Sequence, residues 1–66
     1  MKITLNGKQT DIEGASTVQE LLEQMKINPQ LVACELNLQI VKRKDYPLIP
    51  ISDGDQLEIL QMIGGG

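Results

Sequence analysis

The sequence predicts an α+β domain, a mixed sheet of four to five strands packed on one helix, and three observations carry that prediction. Strand-period stretches lie towards both ends of the chain, a single helix-period stretch lies between them, and Asn, Gly, Pro and Asp clusters punctuate the rest. At 66 residues the chain makes one domain with a small core and has no room for a second lobe or a deep cleft. Hydrophobic residues, 41% of the chain, fall in short periodic runs, as in a folded domain and unlike a disordered one.

Met1, Ile3 and Leu5 alternate with Lys2, Thr4 and Asn6, the period of a strand with one buried face. Asn6-Gly7 supplies two residues that accept positive φ, so a tight hairpin is expected. In the return arm, Lys8 to Glu13, Thr10 and Ile12 point to the core while Gln9, Asp11 and Glu13 face out, as on a solvated edge strand. A helix is expected over Val18 to Lys26, capped by Ser16 or Thr17 with Gln19 or Glu20 completing a capping box, and stopped by Asn28-Pro29. Its apolar stripe is Val18, Leu21, Leu22 and Met25, which must bury against the sheet.

Leu31 to Leu36 reads as the third strand, with Val32, Cys34 and Leu36 on the buried face and Glu35 on the wet one. Asn37 can turn the chain, and Gln39 to Tyr46, which lacks a sustained period, is expected to be turn and irregular loop. Pro47 and Pro50 leave room for only a short edge strand at Leu48-Ile49. Ser52-Asp53-Gly54-Asp55 is a turn before the last strand, Gln56 to Ile63. That strand is apolar on both sides, with Leu57, Ile59 and Ile63 on one face and Leu60 and Met62 on the other, so a central position is expected. Gly64, Gly65 and Gly66 cannot pack a core and are expected to form a mobile extended tail. The division is thus a domain over 1–63 and a tail over 64–66. Two strands, a helix, a strand, a short strand and a strand is the order of the β-grasp fold, in which the first and last strands lie side by side at the centre.

Several function classes are disfavoured by composition. Cys34 is the single cysteine and cannot form an internal disulfide, and with no histidine the usual tetrahedral zinc sets cannot be assembled, so no metal is expected. A formal net charge of -3 disfavours nucleic acid, since Lys42, Arg43 and Lys44 form the one basic cluster. That cluster either steers an acidic partner or is a solvated loop. No apolar stretch reaches bilayer length and the N-terminus lacks a signal-peptide core, so no membrane association and a cytoplasmic address are expected. No nucleophile-base pair or phosphate loop can be assembled, which points away from an enzyme. Cys34 is expected in the core by its strand phase, Asp53 and Asp55 to serve the turn, and Tyr46 to anchor a loop with its ring packed and its hydroxyl wet.

Over essentially its full length the sequence resembles the ThiS family, the ubiquitin-like sulfur carriers of thiamine thiazole biosynthesis. The resemblance is carried by Leu5-Asn6-Gly7, Thr17-Val18-Gln19-Glu20-Leu21-Leu22, Glu35-Leu36-Asn37, Asp53-Gly54-Asp55 and the terminal Ile63-Gly64-Gly65-Gly66. Many relatives carry a proline where this chain has Lys42 and an aromatic residue near Met62. The resemblance implies that the Gly66 carboxylate is adenylated by a ThiF-like adenylyltransferase using ATP and converted to a thiocarboxylate (1-thioglycine at Gly66). The sulfur would come from a donor enzyme such as a cysteine desulfurase and pass to thiazole synthase (ThiG), with no cofactor bound by the chain itself. A glycine tail suits this because no side chain obstructs the acyl carbon and because Gly64 and Gly65 supply reach. Partner affinity must come from elsewhere, and Leu60 and Met62, with Ile63, are the expected docking residues; the alternative is that Leu60 and Met62 pack under the loop of residues 38 to 46. Competing readings are the small subunit of molybdopterin synthase, a ubiquitin-like modifier joined to lysines, and a plain binding module.

Overall fold

The computed structural model describes residues 1–62. The expected last strand, Gln56 to Ile63, ends at Gln61 with Met62 just past it, and Ile63 with the tail Gly64 to Gly66 lies outside the described residues. A five-stranded mixed sheet has the order β2-β1-β5-β3-β4, with β1 at Lys2–Leu5, β2 at Lys8–Asp11, β3 at Val32–Leu36, β4 at Gln39–Val41 and β5 at Gln56–Gln61. One face is covered by the helix α1, Val18–Gln24. β5 is central, parallel to β1 and antiparallel to β3, which places the first and last strands side by side as expected.

The Asn6-Gly7 turn has φ of 50 and 81, both in the left-handed region that a two-residue hairpin turn requires. Asn6 does more than turn: its side-chain oxygen accepts from Ile59 N–H at 2.7 Å, so the first hairpin is bonded to the central strand beyond the end of β1. At the other turn, Asp55 accepts from Ser52 N–H at 2.7 Å and from the Asn37 amide at 3.0 Å, while Asp53 accepts from Lys2 N–H at 2.7 Å. Both aspartates therefore hold turns.

The helix is shorter than its apolar stripe suggests. Thr17 accepts from Glu20 N–H at 3.1 Å, and the Glu20 carboxylate accepts from Ser16 N–H at 2.7 Å, a capping box moved out by one residue. The end is set ahead of Asn28-Pro29, by Lys26 at φ 60, with Lys26 N–H bonded to Glu23 O and Ile27 N–H to Leu22 O, the paired bonds of a Schellman ending. Met25 thus becomes the cap residue, turns off the buried stripe and is exposed, whereas Val18, Leu21 and Leu22 are fully buried. Asn28 instead caps a short 3-10 turn at Pro29–Leu31.

Two further expectations are corrected between residues 37 and 50. Gln39 to Tyr46 is not irregular: Asn37 and Leu38, with φ of 51 and 70, form a second hairpin turn, and Gln39–Val41 pairs with β3 as an edge strand. A 3-10 helix then runs over Arg43–Leu48. Leu48-Ile49 adds no strand to the sheet; Ile49 O accepts from Val18 N–H, Ile51 N–H donates to Ser16 O, and Thr17 bridges to Pro50. The prolines confine this segment to pairing with the entry of α1.

The core joins Ile3, Leu57 and Ile59 of the centre, Val32 and Cys34 of β3, the helix stripe, Ile12, Ala15, Ile51 and Tyr46. Tyr46 departs from expectation. Its side chain is 1% exposed and its hydroxyl, far from wet, donates to Val32 O at 3.2 Å. Among the described residues no buried side-chain nitrogen or oxygen lacks a partner, as a small core requires.

Candidate functional site

The open face of the sheet and the end of β5 form the candidate site. Along β5, Leu57 and Ile59 point into the core while Glu58 and Leu60 point away from it, as the two-residue period demands. Leu60 stands opposite Ala33 and is 53% exposed; Met62, just past the strand, is exposed to the same 53%. Covering the exposed half of a side chain of this kind is worth about 0.8–1.5 kcal/mol to a partner, before the costs of docking are subtracted.

Glu58 lies directly opposite Glu35, and Glu35 opposite Ile40 of β4. Like charges so placed repel, and the only ion pair among the described residues is Lys44 with Asp45. The open face thus carries two carboxylates without a cationic partner of their own, next to Leu60 and the exposed Ile40.

Met62 N–H donates to Leu31 O at 2.9 Å, which ties the last described residue to the segment entering β3. Leu31, expected to open the third strand, instead ends the 3-10 turn ahead of β3, is exposed and borders the same end of the sheet. Arg43 reaches this corner as well, donating to Pro29 O at 3.0 Å and Val32 O at 3.3 Å and lying 3.5 Å from Met62 Sδ. Leu60 and Met62 are therefore gathered at one end of the open face. Met62 has Arg43 of the 38 to 46 segment against its sulfur, yet both side chains stay half open. Ile63, Gly64, Gly65 and Gly66 lie outside the described residues.

Cys34 has no such access. It is 1% exposed on the buried face of β3, and burial pushes its thiol above the ordinary value, against weaker opposition from a Tyr46 hydrogen bond and the Arg43 charge. A protonated, enclosed thiol is a poor nucleophile. Among the described residues no three His, Cys, Asp or Glu side chains are grouped to hold a metal, and no helix is long and apolar enough to cross a membrane.

The ThiS family model matches residues 3–66. The chain is 36% identical to the sulfur carrier protein ThiS of Escherichia coli, over all of both chains. It is 39% identical to a thiazole synthase of Paramagnetospirillum magneticum; there the match takes in the whole chain but spans only 20% of the relative's length. The crystal structure of a thiamine biosynthesis protein (ThiS) from Geobacter metallireducens superposes with a TM-score of 0.85 at 36% identity, covering 100% of each chain.

Proposed function

The chain belongs to the ThiS family of sulfur carrier proteins in thiamine biosynthesis, and from that premise we propose that it carries sulfur on the carboxylate of Gly66 and acts as a protein cosubstrate of its partners. A carboxylate is a poor electrophile, so an adenylyltransferase of the ThiF type would first activate it. A carboxylate oxygen attacks the α-phosphorus of ATP, pyrophosphate leaves, and an acyl-adenylate forms on Gly66. Sulfide, released when a reducing thiol cleaves the persulfide of a donor such as a cysteine desulfurase and leaves as the disulfide, then attacks the acyl carbon and expels AMP. The product is a thiocarboxylate, 1-thioglycine at Gly66, whose sulfur is a better nucleophile than the oxygen it replaced and passes to thiazole synthase.

The observation that carries this reading is the placement of the chain's end. Central β5 is bonded on both sides and delivers Met62 to a corner of the sheet, beside the half-open Leu60 and the exposed Leu31. Residues 64–66, all glycine, offer little apolar contact, so affinity must come from the domain. Leu60 and Met62, continued by Ile63, form the docking surface in this reading, and the unpaired Glu35 and Glu58 favour a cationic rim on the partner. Thiazole synthase as acceptor is supported by the relatives of that name that contain a stretch matching this whole chain. The chain binds no cofactor in this reading, since ATP belongs to the partner, and its place of work is the cytoplasm.

Intact-mass measurement after incubation with adenylyltransferase, ATP and a sulfide source tests the chemistry. The expected result is replacement of one oxygen by sulfur at Gly66, slower loading of Gly66→Ala, and no loading once Gly66 is deleted; full activity of the deletion variant would exclude the reading. For the docking surface, Leu60→Asp is expected to keep the fold and weaken partner binding about tenfold or more. Unchanged affinity in a folded Leu60→Asp variant would remove Leu60 from the interface.

A further inference from the structure

We propose that Arg43 is a positioning residue for sulfur loading, fixing the point from which residues 63–66 depart; the proposal rests on the reading of Gly66 as the loaded carboxylate. In the sequence this arginine stands in a basic cluster with Lys42 and Lys44, a pattern that suits a steering charge or a solvated loop equally. Its guanidinium in fact makes contacts that neither lysine makes. Nε donates to Pro29 O at 3.0 Å and Nη2 to Val32 O at 3.3 Å, and the same Nη2 lies 3.5 Å from Met62 Sδ. Met62 N–H bonds to Leu31 O at 2.9 Å, between the two carbonyls that Arg43 holds. Residue 62 is thereby fixed twice, by its backbone through Leu31 and by its side chain through Arg43.

The arginine is itself steadied. Tyr46, on the same 3-10 helix, donates to the Val32 carbonyl that Arg43 also uses, at 3.2 Å. A planar fork with donors on several nitrogens can span three acceptors in a way that a lysine ammonium cannot. The functional consequence is geometric. An extended segment from Ile63 to Gly66 reaches at most about 14 Å beyond residue 62, so the carboxylate can be presented only within a volume centred on that root. A loose root spreads the carboxylate over more positions and lowers the fraction aligned with the α-phosphorus of ATP.

Two readouts test this on the full chain. Amide hydrogen exchange at Met62 needs no partner, and Arg43→Gln is expected to accelerate it about tenfold while leaving the Ile59 amide and the melting temperature near those of the parent. In pyrophosphate exchange with the adenylyltransferase and ATP, kcat is expected to fall about tenfold with KM little changed, because alignment and not docking is lost. Arg43→Lys separates position from charge: it should resemble Arg43→Gln, and full restoration by lysine would overturn the proposal. Parent-like exchange and kcat in Arg43→Gln would overturn it as well. Should Arg43→Gln fail to fold, Met62→Leu, which removes the sulfur and keeps the apolar bulk, is expected to show the same faster exchange at residue 62, and unchanged exchange there would count against the proposal. A parent chain that is never adenylated defeats the carrier reading, whereas a parent that loads normally beside an Arg43→Gln variant that matches it defeats this inference alone.

Discussion

Ionising the Tyr46 hydroxyl would place a phenolate inside the core and break its hydrogen bond to Val32 O. Burial, with the hydrogen bond and charge of Cys34 adding to it, therefore pushes the phenol up to about 12, against about 10 in an unfolded chain. Above pH 10 the unfolded state releases a proton that the folded state keeps, so the contribution is complete below about pH 10 and is lost as pH rises through about 12. Chemical denaturation from pH 8 to 12 is expected to show a falling midpoint over that window. Tyr46→Phe should flatten the fall, leaving the part that belongs to the raised Cys34 thiol, and should lower stability at neutral pH by about 1 kcal/mol for the lost hydrogen bond. An unchanged alkaline slope in Tyr46→Phe would mean that other groups drive it. Leu38 is a second residue under tension, a leucine at φ 70 with its side chain 82% exposed. It gains little from burial and carries the left-handed penalty of about 1–2 kcal/mol, so Leu38→Gly is expected to raise the urea midpoint despite the greater freedom glycine has when unfolded.

At the scale of elements, the strongly periodic parts of the chain were readable and the strained ones were not. The Asn6-Gly7 hairpin, the Val18-Leu21-Leu22 stripe and the inward phase of Val32, Cys34 and Leu57 follow from spacing alone. β4 was missed because its turn places leucine where glycine would have announced a positive φ, and because three residues are too few to display a period. The helix ending was misplaced for the same reason, since Lys26 takes the left-handed position usually marked by glycine. The prolines flanking Leu48-Ile49 leave room for a short edge strand, yet the preceding 3-10 helix turns the segment towards the entry of α1. Within the candidate site, the exposure of Leu60 was legible from strand alternation. The role of Asn6 on Ile59 and the reach of Arg43 to Pro29, Val32 and Met62 were not, because hydrogen bonds between positions distant along the chain leave no local pattern.

For the whole molecule, the order β2-β1-β5-β3-β4 carries residue 62 away from Met1. Met1 precedes β1, and its amino group donates to Ile12 O at 3.0 Å beside the outer hairpin. β5 runs parallel to β1 but pairs only with its far end, Thr4 with Gln56 and Leu5 with Leu57, and so continues away from Met1 towards the Leu31, Arg43 and Met62 corner. An extension placed before Met1 is therefore remote from the proposed docking surface. An extension placed after Gly66 instead turns the Gly66 carboxylate into a peptide bond, whose carbonyl oxygen cannot attack ATP, and moves the free carboxylate beyond the glycines onto a residue with a side chain. A short Gly-Ser extension at the N-terminus is accordingly expected to leave adenylation within about twofold of the parent, the scale of effects of surface changes away from any site. The same extension at the C-terminus should abolish adenylation while the melting temperature of both variants stays near the parent's. Pyrophosphate exchange in the presence of the adenylyltransferase measures both, and adenylation of the C-terminally extended chain at the parent rate would show that the carboxylate of Gly66 itself is not required.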